Sequence, residues 1–480
     1  MDAGVITVGL YVLMIIAVGL FGLRKTKSFN DFFLGGGNVG SLMSAFSYGT
    51  AYFSAVLFIG FAGQIGWNFG FSGLWIAVFN AFLGVLGVWA IVGWKIKKMS
   101  SGLGVSTMSE FLEKRYQSSF FKLLSAIVIF VFMIPYSAAV FMGLSYLFTI
   151  NFNIDYHYAL IFMGMLTAIY LVLGGYKSMA VIDMIFGMIM VVGVIILLTS
   201  TLQEGGGFSG INSSLESIDP GLTQTIGPPG FWPLFYLIFL TSIAPFAMPQ
   251  LMQKFYAIRD RQAIKRGMFA STLFAALIGG VAYFVGSTTR IFLTPEITPA
   301  AFIDGLPVAD RLMPELLTNV IPEGLSVAIL LLILSASMST LAALVLISSS
   351  SVSKDFVAGF VKKDISDKAL TRLMRIMSGF FVLLSVILAY FNIDSIVAIL
   401  GISWGAIGSF FLGPFIWGLF SKKVNRFGAL SAGIIGLVTC LTLYFSGFSS
   451  PKAGTIGMLV SLAVNPLLSF LSERARPLKT

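Results

Sequence analysis

Apolar runs of about 20 residues recur along almost the entire chain, and a water-soluble fold has no use for so many. Thirteen can be delimited, at approximately 4–23, 41–65, 71–96, 121–149, 156–175, 178–201, 230–252, 267–292, 323–350, 374–393, 395–420, 427–447 and 453–472. Each is long enough to cross a hydrocarbon core of about 30 Å as a helix. In lipid the backbone must satisfy its own hydrogen bonds, so an all-α integral membrane protein is expected. Composition agrees: 57% of residues are apolar and only 10% charged, against about 25% charged in a soluble domain. A soluble enzyme, a secreted disulfide scaffold and a disordered tail are excluded. The first run is followed by Arg24-Lys25 without an A-x-A-like cleavage site, so it is expected to remain as a span.

The net charge of +10 asks where the 30 Lys and Arg residues sit. With thirteen spans and the N-terminus outside, all but Arg290, Arg311 and Lys452 fall on the cytoplasmic side, Lys254 among them. That bias sets an N-out, C-in topology in the plasma membrane and explains the charge without nucleic acid. The chain has one Cys, Cys440, and one His, His157. Neither a disulfide nor a metal cluster can be built from them, so no cofactor and no membrane-embedded enzyme is expected.

Polarity inside the spans is scarce and therefore informative. Asp183 is the one acidic residue clearly within a run. It reads either as an interfacial carboxylate paired with Lys177 or a backbone donor, or as an ion or proton site. The ninth run carries Ser335-Ala336-Ser337-Met338-Ser339-Thr340. Single hydroxyls usually bond their own helix, but the Ser339-Thr340 pair can reach a hard cation if a neighbour supplies carbonyl oxygens. Carbonyls come free where a helix is interrupted. The second run is small and polar from Ser44 to Ser54, and the seventh holds Pro245 and Pro249; both could instead be kinked packing helices. Their positions, five spans apart, favour transport: a five-span repeat must insert upside down, and matched broken helices mark a transporter's midplane site. The repeats are expected at 41–201 and 230–420 of a single domain spanning 1–480. An extra helix and linker (1–40) precede them, and extra helices and a tail (427–480) follow.

Further landmarks appear in order: Asp31-Phe32-Phe33-Leu34-Gly35-Gly36-Gly37, Gly174-Gly175 with Asp183, Pro249-Gln250-Leu251-Met252-Gln253-Lys254-Phe255, Leu334 to Leu341, and Gly413-Pro414 through Lys422-Lys423 to Gly428-Ala429. On these the chain resembles the sodium/solute symporter family, in its proline and pantothenate permease-like branch, over nearly its whole length. The resemblance implies a LeuT-type five-plus-five inverted repeat with extra helices, and Na⁺ as coupling ion. Its sodium ligands become the carbonyls of Thr50, Phe53 and Ala336 and the hydroxyls of Ser339 and Thr340. Proline permeases carry Asp where this chain reads Thr50-Ala51-Tyr52, which argues against proline in particular. Relatives with a second sodium use the Asp matched by Asp183 and two hydroxyls that are Ala342 and Ala343 here. One coupling Na⁺ is therefore expected, with Asp183 structural or proton-linked.

The solute is expected beside the breaks, near Tyr52, Ser54, Tyr136, Thr241, Ser242, Gln250 and Trp404. With no Lys or Arg expected near the midplane, a neutral, zwitterionic or monocarboxylate organic solute is favoured, the last bound at helix N-termini. The expected partners are that solute, Na⁺ and the bilayer, with a functional monomer. A proton-coupled or uncoupled carrier stays open as an alternative, as does a membrane nutrient sensor, which would need a soluble partner or a signalling domain.

Overall fold

The structure is a computed structural model that describes residues 3–25, 28–173, 176–322 and 325–474. Most of the described residues are helical; a hairpin of Phe302–Ile303 with Leu306–Pro307 lies in a long loop, and Val39 and Ile258 form a single parallel bridge. Several helices begin at a residue whose side chain accepts from the first turn: Ser118 from Phe121, Asp260 from Ala263, Ser395 from Ala398 and Asn425 from Gly428. These caps satisfy N–H groups that the helix itself cannot.

Among the described residues nine helices are long and apolar enough to cross a membrane, or ten if the bent pair Phe231–Ala247 and Pro249–Ala257 is one span. The runs and the helices do not correspond one to one. The first and fifth runs are helices of 23 and 18 residues, Ala3–Lys25 and Tyr156–Leu173. The second is cut at Phe53-Ser54, so its first half is the 12-residue helix Ser41–Tyr52. Its second half continues into the third run as one helical stretch, Val56–Leu103, which turns at Gly70 (φ 55°, ψ −136°). A side chain there would be strained, and its Cβ would come within 2.3 Å of the Leu222 carbonyl oxygen. Hydropathy counts apolar length; it does not register a break that occurs inside an apolar run.

Burial ranks the helices by depth. Of the apolar window in Ser326–Val361, 94% is buried, and in Ile396–Phe420 89%, against 33% in Asp367–Phe391 and Arg426–Phe445. The first two therefore form the centre, and the latter two turn much of their surface outward to lipid. The last three helices close on one another through small residues: a Cβ on Gly405 would sit 2.8 Å from the Gly454 Cα. Lipid is as apolar as the side chains, so such close backbone contact, not hydrophobic burial, holds these helices together.

Candidate functional site

Both expected interruptions are present. Ser41–Tyr52 ends at Phe53, whose backbone is extended (φ −105°, ψ 110°). The helix Phe231–Ile243 passes through a tight turn at Ala244–Ala247, and Met248 (φ −79°, ψ 117°) then precedes a new helix, Pro249–Ala257. The two halves of this pair meet at 41°. Pro249 starts the second half, at a position where its missing N–H leaves no bond unmade.

Against the first break lies the buried centre of Ser326–Ser350. The Thr340 hydroxyl is 3.0 Å from the Thr50 carbonyl and 3.1 Å from the Ala336 carbonyl. Ser339 Oγ is 2.7 Å from Thr50 Oγ1, and the Thr50 hydroxyl donates to the Phe46 carbonyl at 2.8 Å. All four residues are buried. Four of the five residues expected to form an ion site, Thr50, Ala336, Ser339 and Thr340, thus form one hydrogen-bonded group. Phe53 stands at the break, and no hydrogen bond ties its carbonyl to them among the described residues. The group offers hydroxyl and carbonyl oxygens without a formal charge, the donor set that suits a hard monovalent cation.

Asp183 is the charge beside this group. It is completely buried. Its Oδ1 lies 2.6 Å from Ser339 Oγ, and its Oδ2 accepts from Ser47 Oγ at 2.5 Å. Lys177, a partner considered for it, has a side chain outside the described residues, and so do the Gly174-Gly175 landmarks as a whole. The cation that faces Asp183 is Lys254, with Nζ 4.0 Å from Oδ2 and both side chains fully buried. This corrects two expectations: Lys254 is no cytoplasmic surface marker, and a lysine does reach the interior. The bend explains it, because all nine residues of Pro249–Ala257 are buried. After the 41° bend that helix stays inside the protein along its whole length, and Lys254 with it.

Beside the breaks is a small cavity of about 30 Å³, bordered by Tyr52, Ser54, Tyr136, Thr241 and Trp404. It has room for a water or so and no more. The Tyr52 hydroxyl donates to the Thr241 carbonyl at 2.6 Å, and the Trp404 ring lies 5.8 Å from both Tyr52 and Tyr136. Two expected residues are not on its wall. Ser242 stands just behind, donating to Asn80 Oδ1 at 2.9 Å. Gln250 is buried on the helix after the bend, and its side-chain amide makes no hydrogen bond among the described residues. Asn80 and Tyr283 do line the cavity, and sequence reasoning passed over both. Asn80 left a signal, as the lone amide in the apolar run 71–96; Tyr283 left none.

A second cavity of about 700 Å³ is bordered by Gln64, Asn68, Tyr236 and Asp394. Ile65, Leu237 and Val397 line the larger cavity, while Phe61, Thr241 and Leu400 line the smaller. These pairs are about one turn apart on three helices, so the larger cavity sits directly against the smaller one.

A pair of helices broken within the apolar layer, with an oxygen-lined group at one break and a solute-sized approach beside it, is the construction of a membrane transporter. The chain belongs to the sodium:solute symporter family, whose model matches residues 32–436. It is 25% identical to the osmoregulated proline transporter OpuE of Bacillus subtilis, over 98% of this chain and 95% of that one. With the high-affinity proline transporter PutP of Bacillus subtilis it shares 27% identity over 90% of each. The sodium/pantothenate symporter of Escherichia coli is 25% identical over 91% of each. Among solved structures, that of a Na⁺-coupled sialic acid symporter, substrate-bound and outward-open, superposes with a TM-score of 0.82 at 18% identity and 98% coverage of both chains. The fold is thus the LeuT-type transporter fold.

Proposed function

We propose that the protein is a secondary active symporter that imports a small neutral, zwitterionic or monocarboxylate organic solute with one Na⁺. Amino acids and pantothenate-like acids are the first solutes to try, since the curated relatives are named for proline and pantothenate. The observation that carries this reading is the bond between the Thr340 hydroxyl and the Thr50 carbonyl across the break. The sodium ligands in this reading are the carbonyls of Thr50, Phe53 and Ala336 and the hydroxyls of Ser339 and Thr340. Tyr52, Ser54, Tyr136, Thr241, Trp404 and Asn80 contact the solute, with Ser242 behind Asn80.

In this scheme the chain crosses the plasma membrane thirteen times, N-terminus outside and C-terminus inside, and works as a monomer. Repeats 41–201 and 230–420 supply one broken helix each. The 700 Å³ cavity is the extracellular vestibule. Sodium draws the Ser41–Tyr52 and Ser326–Ser350 helices together, and solute then opens the 30 Å³ cavity by parting Tyr52, Tyr136 and Trp404. Rocking of one bundle against the other exposes both ligands to the cytoplasm. An inside-negative potential contributes about 2.3 kcal/mol per charge per 100 mV.

The test is a solute screen in proteoliposomes with an inward Na⁺ gradient, with equal Na⁺ on both sides, and with Na⁺ replaced by choline at several pH values. Accumulation that requires the Na⁺ gradient supports the reading. Accumulation driven by a proton gradient in choline would replace it with proton coupling.

A further inference from the structure

The proposed cycle gives the buried ammonium of Lys254 no task. Removing two full charges from water is unfavourable unless they compensate each other closely, yet this pair is loosely joined. Nζ stands 4.0 Å from Asp183 Oδ2, beyond hydrogen-bond distance, and has no hydrogen-bond acceptor among the described residues. What it does have is the Tyr176 ring, with Nζ 5.0 Å from the centroid. The carboxylate's short contacts go instead to Ser47 and Ser339. An ammonium held by charge and a ring face, with no hydrogen bond, is placed as a counter-ion and not as a structural tie.

Four helices contribute to this spot. Ser47 is on Ser41–Tyr52, Asp183 on Tyr176–Glu204, Lys254 on Pro249–Ala257 and Ser339 on Ser326–Ser350. Ser339 links it to the sodium group, because one hydroxyl touches both Asp183 and Thr50. Oxygen ligands are few: one turn beyond Ser339 the helix presents Ala342 and Ala343. A free hard cation needs several oxygens, whereas a tethered ammonium brings its charge with it and needs none of the missing ones.

We propose that Lys254 is a built-in cation at Asp183, filling a site that a second Na⁺ enters when the ammonium is removed. The inference rests on the Na⁺-symport reading. Lys254 holds the coupling at one free ion by occupying the only carboxylate beside the Ser339–Thr50 contact among the described residues. Because it cannot leave, its charge crosses no membrane and drives no uptake.

The experiment compares wild type, Lys254→Gln, Asp183→Asn and the double variant Asp183→Asn/Lys254→Gln. Sodium titrations are read as uptake in proteoliposomes and as the thermal midpoint of the purified protein. In wild type the Na⁺ dependence follows a single ion. In Lys254→Gln it steepens toward two ions, and added Na⁺ raises the midpoint more than in wild type. The double variant returns to a single ion and recovers midpoint that either single variant loses. Should Lys254→Gln fold poorly, its yield is compared after growth and extraction in NaCl and in choline chloride, and rescue by Na⁺ is expected only while Asp183 is present. Unchanged steepness in Lys254→Gln, a double variant no better than the singles, or Na⁺ rescue that ignores Asp183 would overturn the proposal. A wild type indifferent to Na⁺ in uptake sinks the symport reading instead, and the midpoint comparison still tests the charge pair.

Discussion

Thr340→Val removes one oxygen and almost no volume, so its effect isolates the hydroxyl. In the structure that hydroxyl lies 3.0 Å from the Thr50 carbonyl across the helix break and 3.1 Å from the Ala336 carbonyl in its own helix. If the group holds Na⁺, the variant loses one ligand to an ion, an interaction of about 1.5–3 kcal/mol. Each 1.4 kcal/mol is about a factor of ten. The Na⁺ concentration at half-maximal uptake should therefore rise about 10- to 100-fold, while maximal uptake at saturating Na⁺ stays close to wild type. The control is Ser337→Ala, two residues away on the same buried helix, whose hydroxyl only bonds the Ile333 carbonyl of its own helix at 2.6 Å. Initial uptake rates in proteoliposomes, titrated from micromolar to molar Na⁺ at constant ionic strength, give both numbers. An unchanged half-saturation in Thr340→Val, or an equal shift in Ser337→Ala, would refute the assignment of this oxygen group to sodium.

Three further outcomes are expected. Asn80→Ala removes an amide from the cavity wall and should raise the KM for solute about fivefold, one neutral hydrogen bond's worth, with Na⁺ half-saturation unmoved; a shift in sodium and not in solute would place Asn80 elsewhere in the cycle. Gly66→Ala would bring a Cβ within 1.9 Å of the Gly286 carbonyl oxygen, whereas Gly280→Ala meets nothing within 4 Å. The first should lower the thermal midpoint in detergent by an overpacking penalty of about 1–3 kcal/mol or more, the second should not, and similar midpoints would contradict the Gly66–Gly286 contact. Asp310, in the loop helix Ala309–Val320, accepts the Ile396 N–H through both oxygens at 3.2 and 3.0 Å. Burial, opposed by that N–H and aided by Asp394, pushes its carboxyl up to about 7 from an ordinary 3.8. A raised carboxyl contributes stability that is complete below about pH 4 and fades as pH climbs through about 7. Wild type should thus lose midpoint between about pH 4 and 7 relative to Asp310→Asn, and parallel curves would show that Asp310 does not titrate there.

The sequence by itself determined the medium, the class and the place to look. Apolar runs with so little charge can be satisfied only in lipid. Polarity that survives in such runs is conspicuous, which is why Ser339, Thr340, the Thr50 stretch and the two proline-bearing or small-residue breaks could be named before any coordinates. What only the tertiary structure decided is which way things face once a helix breaks. Hydropathy and charge are properties along the chain, and a break changes direction without changing either. The bend at Met248 leads into a helix that is buried throughout, and Lys254 meets Asp183 there. It also carries Gln250 away from the cavity wall, while Asn80 and Tyr283 come onto it from helices with no break of this kind. The charge balance that first read as orientation alone thus conceals one lysine whose place follows from the fold, because a buried cation is tolerated only where packing brings a carboxylate to meet it.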